Sequence, residues 1–240
     1  MIKDVGYDYV ELNGRNFADR KPSELKAILN DIGLPSPITH ADYSSLAERP
    51  DALADIAAEL GCKYVVLPFI AEDQRSLDAY KAHAEMLNKA SEVLKPNGIK
   101  VGYHNHHFEF FDLGNSVTGM DILLSDTDPD QVVFELDLFW AAFARQDIVA
   151  WFQKHPGRFK MCHVKDMLGE PREFRSAEEF FAVIGSLMKN VGEGELPFET
   201  YFANNDLAGM EYFIVEHDAP PKPFRNSIET SLTNVRGVRF

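Results

Sequence analysis

The sequence predicts an α/β chain built on a parallel sheet: a (β/α)8 barrel of which seven strands are readable, or an open doubly wound sheet that is complete as it stands. Three observations lead there. Short apolar runs alternate with amphipathic stretches along the whole chain, the pattern of strands joined by crossover helices. Several runs, such as Tyr64-Val65-Val66-Leu67, are continuously apolar, as strands covered on both faces are. Four successive runs end in a histidine or a carboxylate, and parallel α/β folds carry their ligand sites at that end of the strands.

The expected strands are 9–12, 38–41, 64–69, 99–105, 132–138, 159–164 and 212–216. Helices are expected over 22–32, 47–60, 76–94, 148–154, 177–188 and 226–234. The first has Pro22 in its opening turn and Gly33 just past its end, the usual asymmetry of helix termini. The second ends at Gly61. The third places Leu77, Tyr80, Ala84, Leu87, Ala90 and Leu94 on one face and stops at Pro96-Asn97-Gly98. The fourth stops before Pro156-Gly157, and the fifth carries Phe180, Phe181, Ile184 and Met188 on one face. Residues 165–175 and 191–198 read as loops. Residues 1–6 read as the tail of a helix, so the first strand of the barrel is expected to be lacking or replaced. With no linker or low-complexity tract, residues 1–240 form one expected domain.

Of the 240 residues, 45% are hydrophobic and 26% charged, an ordinary balance for a globular chain that buries its own core. The formal net charge is −14, from 24 Lys+Arg against 38 Asp+Glu. Such a field repels phosphate backbones and anionic membranes, so neither nucleic acid nor membrane is an expected partner. No apolar run approaches the roughly 18 residues of a membrane span. Cys62 and Cys162 lie beside apolar runs and read as buried free thiols, which fits a reducing, cytoplasmic location.

The chemistry is concentrated at strand ends. The strand beginning at Ile99 runs into Tyr103-His104-Asn105-His106-His107-Phe108-Glu109. The following ones end in Phe134-Glu135-Leu136-Asp137, in His163-Val164-Lys165-Asp166, and in Val215-Glu216-His217-Asp218. Glu109, Asp137, His163 and Glu216 make a set of one imidazole and three carboxylates. Carboxylates gathered that closely repel one another unless a cation lies among them. The donor types suit one divalent ion (Mn, Zn, Co or Fe), and the absence of thiolate argues against a closed structural zinc site. A single acidic strand end is more often a helix cap; four in succession point to a metal. Glu109 lies beyond the strand end and must turn back to reach such a site, and His104 is the replacement ligand if it does not. Glu11, His40, His104, His106 and Lys165 are candidate substrate contacts, with capping or surface pairing as the plain alternative. Trp140 either walls the pocket or is core. Gly192-Glu193-Gly194 reads as an ordinary turn.

Taken with Gly6-Tyr7-Asp8-Tyr9-Val10-Glu11-Leu12, these segments resemble the xylose-isomerase-like TIM barrels described as sugar phosphate isomerases/epimerases. The resemblance spans nearly the whole chain. It implies that Glu109, Asp137, His163 and Glu216 hold the metal, and that Glu109 and Glu216 form the acid/base pair. It also implies isomerisation or epimerisation of a small keto-sugar through a metal-stabilised enediolate. The same metal and base would serve a lyase or dehydratase acting on a keto-sugar. A non-catalytic barrel subunit is the remaining rival, and an unclosed barrel edge would invite a second copy of the chain.

Overall fold

A computed structural model describes residues 1–14, 20–172 and 176–239. The chain divides into two compact units, Tyr7–Glu135 and Met1–Gly6 with Leu136–Phe240.

The first unit contains strands β1 (Glu11–Leu12), β2 (Ile38–His40), β3 (Tyr64–Leu67), β4 (Lys100–His104) and most of β5 (Val132–Asp137). All pair in parallel and in chain order, with Ile38 opposite Glu11, Tyr64 opposite Ile38, Lys100 opposite Tyr64 and Val132 opposite Val101. Val65, Val66 and Leu67 are fully buried, as their unbroken apolarity requires. The crossover helices end where the sequence says they should: Gly33 and Gly61 adopt the left-handed conformation that lets the chain leave a helix at low steric cost. The helix Leu77–Leu94 turns Tyr80, Ala84, Leu87, Ala90 and Leu94 inward. The expected helix over 47–60 is instead two, Tyr43–Glu48 and Pro50–Leu60, because Pro50 cannot continue a helix but can open one, and Asp42 caps the first by accepting from Ser45 N at 2.8 Å. A further helix, Gly119–Asp126, is opened by a reciprocal Thr118–Asp121 capping box. Its first residue packs on the Tyr80 ring so closely that a Cβ would lie 2.3 Å from it, so only glycine fits there.

The curvature of this unit follows from one contact. β2 and β5 are three places apart in the strand order, roughly 14 Å in a flat sheet. Yet His40 Nε2 on β2 lies 2.9 Å from Glu135 Oε2 on β5. The five strands must therefore curl about their inner face, as strands of a barrel do.

The second unit carries β6 (Phe159–Val164) paired in parallel with β9 (Tyr212–Val215), with His163 opposite Ile214. Between them, β7 (Asp166–Met167) and β8 (Met188–Lys189) form a short antiparallel pair. That pair corrects the reading of 165–175 as loop throughout; of that stretch, 173–175 lie outside the described residues. Seven strands thus lie in parallel pairings among the described residues, the number read from the sequence. The helix expected over 177–188 ends at Leu187, and the last helix is longer than expected, Phe224–Gly237. Phe139, Trp140, Phe143, Met167, Ile184, Leu187 and Met188 make this unit's apolar cluster. Neither cysteine is in a disulfide and both are buried, and burial pushes the Cys62 thiol up to about 12. Among the described residues, no helix is long and apolar enough to cross a membrane.

Candidate functional site

In the second unit, strand ends bring Asp137, His163 and Glu216 together. His163 Nδ1 lies 2.7 Å from Glu216 Oε2 and 3.7 Å from Asp137 Oδ2. Asp137 is the last residue of β5 and the cap of helix Leu138–Phe143: its Oδ1 accepts from Trp140 N at 2.9 Å. One oxygen therefore caps the helix while the other, Oδ2, faces His163 and Lys165. Asp137 and His163 are fully buried, whereas the Glu216 side chain is 41% exposed, so the group opens to solvent on one side.

Lys165 completes the group. Its side chain is 2% exposed, and Nζ reaches Asp137 Oδ2 at 3.0 Å, Glu216 Oε2 at 2.7 Å and Asp218 Oδ2 at 3.1 Å. Burial alone would pull its pKa down, but Asp137, Glu216 and Asp218 outweigh this and hold the ammonium well above its ordinary value. β-strand periodicity explains the placement: His163 and Lys165 are two residues apart and share a face, while Asp166 points the other way. Trp140 is buried in the apolar cluster, stacked on Phe180, with its ring centroid 5.9 Å from Lys165 Nζ.

Asp166 is a residue whose work the sequence did not disclose. It is buried, and its two carboxylate oxygens accept from four backbone N–H groups: Met167 (2.8 Å), Gly192 (2.8 Å), Gly194 (3.0 Å) and Leu196 (3.2 Å). The Gly192-Glu193-Gly194 segment is a turn because this carboxylate gathers its amides.

The first unit holds the remaining candidates. His40 Nε2 lies 2.9 Å from Glu11 Oε1 and 2.9 Å from Glu135 Oε2. Burial disfavours the imidazolium, yet Glu11 and then Glu135 more than offset this and raise His40 to about 10. Glu135 stands inside the strand motif and is a site residue that the strand-end pattern alone does not single out. Its signal was available: Glu135 and Asp137 alternate on one face of an otherwise apolar strand. His104 ends β4, with Nδ1 3.2 Å from Pro68 O and its ring 5.8 Å from that of His40. His106 stacks on Phe108 and meets Phe69 edge-on. Glu109 sits on a 3-10 turn, Phe108–Phe110, where Tyr103 Oη donates to it at 2.5 Å and His106 N at 2.8 Å. Burial raises Glu109 to about 7 despite those donors. Glu109 and His104 belong to one unit; Asp137, His163 and Glu216 belong to the other.

The ligand atoms of Asp137, His163 and Glu216 all lie within 4.8 Å of one another. One imidazole nitrogen and two carboxylate oxygens converging from rigid strand ends are a donor set that fits a divalent ion of the Mn–Zn series.

Comparison with known proteins agrees with this architecture. Residues 1–234 match the model of the xylose isomerase-like TIM barrel family. The chain is 25% identical over 249 aligned residues to an inosose dehydratase of Geobacillus kaustophilus (strain HTA426), covering 92% of this chain and 79% of that one. Its fold matches a sugar phosphate isomerase/epimerase from Parabacteroides distasonis ATCC 8503 with a TM-score of 0.80 at 26% identity, covering 99% of this chain and 87% of that one. A structure described as IOLI protein with a binding zinc atom matches in fold alone, with a TM-score of 0.75 at 16% identity over 99% and 91% of the two chains. By its matched length and its curled parallel sheet, the chain belongs to the xylose isomerase-like TIM barrel family.

Proposed function

We propose that this protein is a divalent-metal-dependent enzyme that removes the α-proton from a keto-sugar or related polyhydroxy ketone. The observation that carries the reading is the convergence of Asp137, His163 and Glu216, with Lys165 seated against the two carboxylates. A bound metal supplies Lewis acidity at adjacent carbonyl and hydroxyl oxygens, which lowers the cost of the enediolate. Asp137 and His163 are the anchoring ligands, each held by a strand and fully buried. Glu216, the exposed member, takes the proton. Lys165 presents an ammonium to the developing oxyanion, and its burial makes that charge effective. The resemblance gives the second acid/base role and the first ligand position to Glu109, with His104 as the alternative ligand. Glu11, His40, His104 and His106 are assigned to substrate hydroxyls, and Trp140 to the wall behind Lys165.

Returning the proton elsewhere gives an isomerase or epimerase. Expelling a β-hydroxyl instead gives a dehydratase, and the inosose dehydratase relative favours that second reading. Both share the first step, so the test addresses it. The metal-loaded protein is incubated in D2O with ketohexoses and with an inosose, and the α-hydrogen is followed by proton NMR. Exchange at the carbon beside the carbonyl supports the proposal. Loss of water with appearance of a conjugated enone marks the dehydratase, and a new sugar marks the isomerase. No exchange with any polyhydroxy ketone would sink the proposal.

A further inference from the structure

We propose that Glu11, His40 and Glu135 form a second divalent-cation site, built from residues other than Asp137, His163 and Glu216. Its ligands come from three strands of one unit, β1, β2 and β5, whose registers fix them as strand ends fix the first set. One imidazole nitrogen faces two carboxylate oxygens, each at 2.9 Å. The three ligand atoms lie within 4.8 Å of one another. Side-chain exposures are 10% for Glu11, 12% for His40 and 0% for Glu135, so two carboxylates are held close together almost out of water.

A single Nε2–H offers one proton to two acceptors. A divalent ion in its place gives each carboxylate and the imidazole a full bond. Ligand atoms bound at about 2.1 Å in a tetrahedral site are roughly 3.4 Å apart, so the 2.9 Å separations need open only by a few tenths of an ångström. Three protein ligands leave a fourth position for water or a substrate oxygen, the arrangement of catalytic rather than structural sites. For Glu11 and His40, contact with a substrate hydroxyl then runs through the cation rather than directly.

The test is cobalt stoichiometry on the full chain, stripped with chelator and dialysed against Co²⁺, read by elemental analysis and by the visible d–d spectrum. Two ions per wild-type chain are expected. Glu11→Gln with His40→Asn should leave one, and Asp137→Asn with Glu216→Gln should also leave one. A single wild-type ion lost only with Asp137 and Glu216 overturns this site and leaves the proposed function standing. A single ion lost only with Glu11 and His40 supports this site and overturns the proposed metal centre instead. No bound ion overturns both. Where circular dichroism finds the Glu11/His40 variant unfolded, anomalous difference maps from cobalt-soaked wild-type crystals decide: a peak bonded to Glu11, His40 and Glu135 supports the site, and none there overturns it.

Discussion

The two units each hold a histidine between two carboxylates, and the two groups solve the same electrostatic problem differently. In the first, His40 lies between Glu11 and Glu135, whose charges outweigh burial and raise its pKa to about 10, so the imidazole itself carries the positive charge. In the second, His163 lies near Asp137 and Glu216, and Lys165 brings a separate cation against both carboxylates. There the positive charge is supplied by a lysine ammonium. Donor types alone therefore do not distinguish the two groups; the neighbouring ammonium does.

The strongest way to break the comparison is to remove each histidine in turn. His163→Ala should cost on the order of a thousandfold in turnover, the scale of losing electrostatic stabilisation of a developing oxyanion. It should also abolish the metal content of that centre. His40→Ala should cost about ten- to a hundredfold, the scale of a supporting interaction. Equal losses would erase the distinction drawn between the groups.

Lys165→Met tests the ammonium. It leaves Asp137, Glu216 and Asp218 without their cation and should lower metal-free stability by about 3 kcal/mol in denaturant unfolding. That is the low end for a broken buried pair, because Glu216 and Asp218 are 41% and 44% exposed and water screens them. Added Mn²⁺ or Zn²⁺ should restore part of the loss, since a divalent ion neutralises the same carboxylates. No rescue would mean that Lys165 and the metal do not share them.

Glu109 gives a pH dependence of known sign. Its folded value of about 7 exceeds the ordinary 4.5. Its contribution to stability is thus fully present below pH 4.5 and lost as pH rises through 7. The downward slope across that window should be flatter in Glu109→Gln, measured by urea midpoints at several pH values. An unchanged slope would show that Glu109 does not hold its proton in the fold.

The smallest expected effect is Tyr103→Phe, about 1 kcal/mol for one buried hydrogen bond to Glu109. It should steepen rather than flatten the same pH slope, because the Tyr103 hydroxyl is a donor that lowers the Glu109 pKa.

Much of this molecule is legible in the sequence because it is local. Apolar runs mark β2 to β6 and β9, and Gly33 and Gly61 mark helix ends through a backbone preference of their own. The strand-end positions of Asp137, His163 and Glu216 follow from where apolar runs stop. Helix Gly119–Asp126 is not legible from periodicity because a glycine at its start and a short length hide its period, and only Thr118 with Asp121 signals it. Helix Leu138–Phe143 is hidden in the sequence because it follows β5 with no loop, so one apolar run serves both elements. What no local pattern encodes is which distant groups meet. That Glu135 reaches His40 across 95 residues, that Asp166 gathers amides from Gly192 to Leu196, and that Lys165 finds Asp218 across 53 residues were decided by sheet curvature and strand register. Periodicity says which face a side chain takes; only the pairing and curvature of the strands within each unit say what it will face there.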